Sequence, residues 1–197
     1  MRSRPLLRSA AALALVLAAC GGPTLAEIAV GQAAPDFRLK DLDGREVALA
    51  DLRGKVVVLE WANPNCPFWR GHAERKTMVT VAAKHPQAVW LAIDSTNAKH
   101  GDYLDAAAWR SFLGKNGIGY AVLRDNDGAT GRAYGARTTP HLFVIDAEGK
   151  VAYMGAIDDD PRGSPKVNYA DAALAALEQG ARPEPSSTRP YGCSVKY

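Results

Sequence analysis

A short apolar run that leads directly into a proline-started helix constrains the fold of this chain more than any other feature. Residues 56–61, Val-Val-Val-Leu-Glu-Trp, have the length and composition of a buried strand. Pro67 follows a few residues later and favours the first turn of a helix, where its missing amide needs no partner. A buried strand followed at once by a helix is typical of α/β domains with a partly parallel sheet.

The rest of the pattern predicts one α/β domain over residues 34–180, without an internal repeat. Two short strands around a turn predict an N-terminal β-hairpin over residues 36–49. Further strands are predicted over 88–94, 121–124, 141–146 and 150–155, and helices over 66–84, 106–116, 130–134 and 168–179. The last two strands form a second hairpin, so the expected sheet mixes parallel and antiparallel strands.

Cys66 lies at the junction between the apolar strand and the predicted helix. The unpaired amides and the positive dipole end of a helix N-terminus stabilise a thiolate, and they can lower a cysteine pKa from about 8.5 to roughly 3.5–7.5. Cys66 is therefore the candidate nucleophile. The alternative is a small, buried apolar cysteine. The preceding Asn63, Pro64 and Asn65 indicate a loop and favour the nucleophile.

A proline late in the chain is the second feature that indicates the fold. Thr139-Pro140 directly precedes the apolar run at residues 141–146, so a proline opens a late strand. Together with several further segments, this arrangement resembles the thioredoxin-like redoxins, in particular exported relatives of alkyl hydroperoxide reductase and thiol-specific antioxidant proteins. These segments are residues 39–44 (LKDLDG), 52–58 (LRGKVVV), 133–135 (AYG) and 143–149 (FVIDAEG).

The resemblance implies a fold, a chemistry and several site residues. The fold is α/β and thioredoxin-like, with three layers, a central mixed β-sheet flanked by helices and an N-terminal β-hairpin. The chemistry is thiol–disulfide or peroxide-linked oxidoreduction by Cys66, without a cofactor. In this family the late proline is cis and packs beside the reactive sulfur. Pro67, Thr139 and Pro140 are then the expected substrate-binding residues, because the backbone before such a proline is free to pair with an extended substrate.

Two departures from the family pattern limit this expectation. Dithiol thioredoxins carry a second cysteine three residues after the first, where this chain has Trp69. Peroxiredoxins carry Pro, Thr and Arg where this chain has Leu59, Asn63 and Pro140. Efficient peroxidase chemistry is less favoured, because hydroxyl and guanidinium donors stabilise the charge that develops on a peroxide oxygen. A slow thiol peroxidase that uses Cys66 is kept as an alternative.

Cys193 is the candidate partner thiol of Cys66. Residues 181–197 form a C-terminal tail, and its proline-rich part, residues 181–190, predicts no regular structure and a mobile strap. The stretch from Gly180 to Cys193 could span on the order of 45 Å if extended, so this thiol could reach Cys66 from almost any attachment point. A disulfide between them is either a reversible, catalytic bond or a permanent structural staple.

Three further candidates carry titratable side chains. Glu60 lies six residues before Cys66, where thioredoxins place a buried carboxylate that helps move the thiol proton; the alternative is a strand glutamate facing solvent. His72 and His141 could join Cys66 as copper ligands, although copper-delivery proteins of this fold use two closely spaced cysteines, and no metal is expected. A non-catalytic copper- or client-binding module is the alternative of another class. Residues 158–160, Asp-Asp-Asp, predict a solvated loop.

Residues 1–19 have the arginine-rich start and the apolar stretch of an export signal. Residues 17–21, Leu-Ala-Ala-Cys-Gly, resemble a bacterial lipobox, which predicts cleavage before Cys20, lipid on that cysteine and a linker over residues 20–33. Cleavage after Ala26 is the alternative and would release a soluble periplasmic protein. The expected location is therefore the cell envelope, on the periplasmic side.

Charge and location restrict the partners of the exported chain. The whole chain has 24 basic and 21 acidic residues, and the three arginines of residues 1–19 leave with the signal, so the remainder is neutral. No nucleic-acid partner is expected, and membrane contact is expected only through the lipid. The expected partners are a thiol or disulfide protein, or a small oxidant, and a reductant that the sequence does not identify.

Overall fold

A seven-stranded mixed β-sheet forms the centre of the fold. The structure, a computed structural model, describes residues 28–161 and 163–197. The strands are β1 (Arg38–Asp41), β2 (Glu46–Ala48), β3 (Val57–Trp61), β4 (Val89–Asp94), β5 (Ala121–Arg124), β6 (Thr138–Thr139), β7 (His141–Ile145), β8 (Val151–Gly155) and β9 (Cys193–Ser194). The helices are α1 (Pro67–Glu74), α2 (Thr77–Lys84), α3 (Ala106–Asn116), α4 (Ala129–Ala133) and α5 (Tyr169–Glu178).

The strands lie across the sheet in the order β2-β1-β5-β4-β3-β7-β8. β3, β4 and β5 run parallel to one another. β7 pairs antiparallel with β3 and with β8, and β1 pairs antiparallel with β2 and with β5. The predicted mixed sheet and N-terminal hairpin are confirmed, and the strand that leads to Cys66 lies inside the sheet between β4 and β7.

Alternate side chains of β3 enter two cores, one on each face of the sheet. Val58 packs in a core that contains side chains of α1, α2, α3 and α5. Val57 and Leu59 pack in the opposite core, together with Tyr134 at the end of α4. The predicted three-layer α/β fold is therefore confirmed, and the period of two along the strand explains why every residue of β3 is buried.

The single helix predicted over residues 66–84 is wrong. Two helices, α1 and α2, occupy this stretch, and the break falls at Arg75 and Lys76. Lys76 has a φ of 60°, a left-handed conformation in which the α-helix cannot continue. Glycine is the usual residue for such a break, so a lysine carries no signal of it in the sequence. With the break, Trp69 of α1 and Met78 of α2 both reach the same core.

Helix α3 coincides with its prediction because both of its ends carry strong local signals. The Asp105 side chain accepts a hydrogen bond from the Ala108 amide at 2.8 Å and caps the first turn. Gly117 follows the helix with a φ of 66°, which ends it.

The tail is attached along the domain by hydrogen bonds, which the predicted mobile strap did not include. Residues 181–190 contain no helix or extended strand, as predicted, but the Thr188 amide donates to the Met154 carbonyl at 3.1 Å. The Thr188 hydroxyl also lies 2.6 Å from the Tyr153 hydroxyl. β8 is an edge strand with unpaired backbone groups, and the non-proline residues of the tail satisfy some of them. A composition argument misses this because the partner lies elsewhere in the chain.

The predicted export signal, the lipobox at Cys20 and the first part of the linker lie in residues 1–27, outside the described residues. Within residues 28–161 and 163–197, no helix has the length and apolar character needed to cross a membrane.

Candidate active site

Cys66 lies at the N-terminal cap of α1, immediately before Pro67 in the first helical turn. The loop that leads to it is shaped by Asn63, whose side chain accepts from the Asn65 amide at 2.7 Å and donates to the Thr96 hydroxyl at 2.8 Å. Only 3% of Cys66 is exposed. The sequence therefore places this thiol correctly at a strand-to-helix junction, although the thiol is more deeply covered than a loop position suggests.

The late proline lies beside the cysteine. The peptide bond between Thr139 and Pro140 is cis, and the Cys66 thiol donates a hydrogen bond to the Thr139 carbonyl at 2.8 Å. The predicted cis bond and its proximity to the sulfur are confirmed. Four of the predicted site residues, Cys66, Pro67, Thr139 and Pro140, thus meet at one end of the sheet, although a long stretch of sequence separates the two pairs.

The tail brings Cys193 to the same place. β9 pairs antiparallel with β6, with Thr139 opposite Cys193. Cys66 and Cys193 are both free thiols, and their side chains are hydrogen-bonded to each other. Gly192 has a φ of 125°, and a Cβ atom at this position would overlap the Thr139 carbonyl. Glycine is therefore the residue that lets the tail backbone approach the cis-proline turn so closely.

The two thiols differ in acidity. Burial raises the pKa of Cys66, but hydrogen bonds from Cys193, from the Thr139 side chain and from the Trp69 and Cys193 amides outweigh it, so the pKa is lowered overall. Burial and the neighbouring Cys66 sulfur raise the pKa of Cys193 to about 11. Cys66 is thus the better thiolate of the pair, and Cys193 is the thiol that donates a hydrogen bond to it.

Glu60 is fully buried in β3, so its solvent-facing alternative is wrong. Its carboxylate accepts hydrogen bonds from the Trp69 indole, from the Trp90 indole at 2.8 Å and from the Tyr120 hydroxyl at 3.1 Å. Burial raises the Glu60 pKa to about 7, even though these three donors lower it. A carboxyl group with this pKa can take up or release a proton near neutral pH.

Trp69 links the carboxylate to the thiol. Its amide donates a hydrogen bond to the Cys66 sulfur, and its indole donates to Glu60. The residue that replaces the second cysteine of a dithiol motif therefore contacts both candidate catalytic groups. Sequence reasoning missed this role and those of Trp90 and Tyr120, because their partner lies on another strand. The available signal was that a glutamate in a buried strand needs hydrogen-bond donors, which tryptophan and tyrosine side chains can supply.

Asp158 is 1% exposed, so the solvated loop predicted for residues 158–160 is wrong at its first position. Its carboxylate accepts hydrogen bonds from the Tyr191 hydroxyl and from the Asp160 amide, which compensate for the loss of water. His72 completes this cluster, with its Nε2 atom 2.9 Å from the Tyr191 hydroxyl. Burial, and then the positive charge of Arg75, lower the His72 pKa to about 4, so its imidazole is neutral.

The two histidines considered as copper ligands lie in different surroundings. His72 contacts Tyr191, whereas the Nδ1 atom of His141 accepts from the Arg137 amide at 3.3 Å. In the described part of the chain, His, Cys, Asp and Glu side chains form no group of three that could hold a metal ion.

A cysteine at a helix N-terminus, facing a cis-proline at the end of a mixed sheet with helices on both faces, defines a thioredoxin-like redox protein. Residues 30–154 match the model of the AhpC/TSA family, and the chain belongs to that family.

Two curated proteins and one solved structure are similar to the chain. It is 33% identical over 147 residues to the thiol-disulfide oxidoreductase ResA of Geobacillus thermodenitrificans, which is 71% of this chain and 80% of the relative. It is 29% identical over 141 residues to the soluble secreted antigen MPT53 of Mycobacterium tuberculosis, which is 72% of this chain and 74% of that protein. A crystal structure of a hypothetical protein from Sinorhizobium meliloti has a TM-score of 0.76 and 26% identity, and covers 87% of this chain and 96% of its own.

Proposed function

We propose that this protein is a thiol-disulfide oxidoreductase in which Cys66 is the nucleophile and Cys193 resolves the mixed disulfide. The observation that carries this proposal is the contact between two free thiols, one of them at a helix N-terminus beside a cis-proline. The predicted enzyme class, an oxidoreductase acting on thiols or disulfides, agrees with the activity of the relative ResA. Cys66 is the more acidic thiol and therefore suits the first attack, whereas the less acidic Cys193 suits the later resolution step.

The proposed reaction begins with the Cys66 thiolate, which attacks one sulfur of a client disulfide. A Cys66–client bond forms, and the second client sulfur leaves with the bonding pair and takes up a proton. Cys193 then loses its proton and attacks the Cys66 sulfur, forming the Cys66–Cys193 bond and releasing the first client sulfur as a thiol. The client gains two electrons and the enzyme loses two. A separate dithiol reductant returns the enzyme to its two-thiol state.

Glu60 is proposed to exchange the proton that the thiols release and take up. Its pKa of about 7 supports this role, because both protonation states are populated at neutral pH. Its link to Cys66 through Trp69 supports a direct influence on the acidity of the thiol.

Pro67, Thr139 and Pro140 are proposed to bind the client. An extended peptide would pair with the Thr139 backbone, which in this structure pairs with Cys193. The tail already pairs with the Thr139 backbone as a short antiparallel strand. This pairing supports the proposal that a client peptide would bind there in the same way. A client and the tail therefore compete for the same backbone.

The peroxidase alternative receives less support from the site. Asn63, which stands where peroxiredoxins have a threonine, uses its side chain to bind Asn65 and Thr96. Asn63 lacks the threonine hydroxyl and Pro140 lacks the arginine guanidinium that stabilise charge on a peroxide oxygen, so disulfide exchange is the chemistry that we propose.

A mass map of the oxidised protein tests the proposal. Oxidation by a small disulfide should give a Cys66–Cys193 bond that a dithiol reverses readily, whereas a structural staple would resist reduction. Cys193→Ser should leave Cys66 as a mixed disulfide, and Cys66→Ser should abolish client reduction. If Cys193→Ser recycles at the wild-type rate, an external thiol resolves the mixed disulfide and the proposed role of Cys193 is wrong.

The proposed location is outside the cytoplasm, with lipid on Cys20. Support comes from the signal-like residues 1–19 and from the secreted relative MPT53. Cys20→Ser should release the protein from membranes into the soluble fraction. A wild-type protein that is wholly soluble and begins at Glu27 would show that cleavage occurs after Ala26 instead.

A further inference from the structure

The tail is fixed to the domain on both sides of Cys193. On the C-terminal side, the Val195 amide donates to the Arg137 carbonyl at 3.0 Å, and the Lys196 carbonyl accepts from the Asn97 amide at 2.7 Å. The Tyr197 hydroxyl donates to the Ala136 carbonyl at 2.7 Å. Cys193 therefore stays beside Cys66 without a covalent bond.

On the N-terminal side, the Thr188 contacts hold the tail against β8, and the Tyr191 hydroxyl holds it nearer to Cys193. Tyr191 donates to the Asp158 carboxylate and accepts from the Nε2 atom of His72. This assignment leaves the Nδ1 atom of His72 as an acceptor for Thr77 and Arg75, each 3.4 Å away. We call the Tyr191 hydroxyl, His72 and Asp158 the latch.

The latch joins three separate parts of the fold. His72 belongs to α1, the helix that carries Cys66 at its start, and Asp158 follows β8. Both side chains are buried, so each would lose a hydrogen-bond partner inside the protein if the hydroxyl were removed. The Tyr191 ring also contacts Phe68, with ring centroids 6.2 Å apart, and this contact does not need the hydroxyl.

The attached tail closes Cys66 to large reactants. The cleft lined by Cys66, Thr139 and Cys193 has a volume of about 10 Å³. That is roughly the space that one water molecule needs. A client disulfide or a bulky thiol reagent therefore reaches Cys66 only after the tail has moved.

We propose that Tyr191 is a positioning residue, whose latch holds the tail over Cys66 and so sets how the thiol divides its reactions between Cys193 and external partners. The proposal rests on the proposed function of the two cysteines. A weaker latch exposes Cys66 more often, which accelerates reaction with large external reagents. It also leaves Cys193 away from Cys66 more often once an adduct has displaced the tail, which slows resolution. The two rates therefore change in opposite directions.

Tyr191→Phe tests the hydroxyl alone, because the ring and its contact with Phe68 remain. The first measurement is the rate at which a bulky maleimide labels Cys66 in the reduced full chain with Cys193→Ser. Losing one buried hydrogen-bonded hydroxyl should raise this rate by about tenfold. Asp158→Asn keeps the shape of the acceptor but removes its charge, and it should give a smaller increase.

Tyr134→Phe is the matched control. Its hydroxyl is also buried and donates to the Pro35 carbonyl at 2.7 Å, a partner that does not belong to the tail. Labelling of Cys66 in this variant should stay at the rate of the Cys193→Ser parent. An equal acceleration by both tyrosine variants would indicate general loosening of the fold and would overturn the proposal.

The second measurement uses the chain with both cysteines and glutathione bound to Cys66 as a mixed disulfide. Tyr191→Phe should slow formation of the Cys66–Cys193 bond, whereas Tyr134→Phe should leave this rate at the wild-type value. Unchanged labelling, or faster resolution, overturns the latch. A wild-type chain that never forms the Cys66–Cys193 bond refutes the proposed role of Cys193 instead, and the labelling rates still decide whether the latch exists.

Discussion

Cys66 and Cys193 carry the same thiol group, and their surroundings shift the pKa values of the two thiols in opposite directions. Cys66 has a lowered pKa because hydrogen-bond donors outweigh its burial, whereas the Cys193 pKa is raised to about 11. Alkylation of the reduced protein at increasing pH should therefore reach half of its maximal rate at a lower pH for Cys66 than for Cys193. Mass spectrometry of the two peptides gives both profiles. The tail slows labelling of Cys66 overall, but scaling each profile to its own maximum removes that effect.

Cys193→Ala is the control for this assignment. It removes the thiol that donates to the Cys66 sulfur, so the midpoint of the Cys66 profile should move to higher pH. Coincident profiles for the two wild-type thiols would contradict the view that Cys66 is activated.

Some of these residues could be recognised in the sequence because their role depends on near neighbours. Cys66 stands between an apolar strand and Pro67, and Pro140 opens an apolar strand, so local pattern and resemblance were sufficient. Trp69 and Tyr191 gain their roles from partners on other elements, Glu60 and Asp158. No local pattern states that a particular indole or phenol will meet a buried carboxylate.

The helices and strands divide in the same way, into those with local sequence signals and those that depend on distant partners. The N-terminal hairpin and α3 could be predicted because a turn and a terminal glycine mark them locally. The break between α1 and α2 was missed, since Lys76 adopts a conformation that its sequence does not favour. The attachment of the tail was missed, because it depends on the open edges of β8 and β6. A segment that pairs with the edge of a distant strand carries no local sequence signal that predicts this pairing.

At the scale of the whole molecule, the buried carboxyl group of Glu60 makes stability depend on pH. Its pKa is about 7 in the folded protein, compared with an ordinary value of 4.5. The folded state therefore binds the proton more tightly than the unfolded state between these values, and stability falls as pH rises through this window. The shift corresponds to about 3 kcal/mol of unfolding free energy, since one pKa unit is worth about 1.4 kcal/mol. The cost of a buried charge is present above pH 7 and absent below pH 4.5.

Urea unfolding of the reduced protein at a series of pH values measures this effect. Relative to Glu60→Gln, the wild type should lose about 3 kcal/mol of unfolding free energy between acidic and mildly basic pH. The glutamine itself can destabilise the fold at every pH, because its amide protons face the Trp69 and Trp90 donors, so the informative quantity is the difference in slope and not the offset. Glu148→Gln changes an exposed carboxylate and should keep the wild-type slope. Parallel curves for the wild type and Glu60→Gln would mean that folding does not raise the Glu60 pKa and that Glu60 holds no proton near neutral pH to exchange with the thiols.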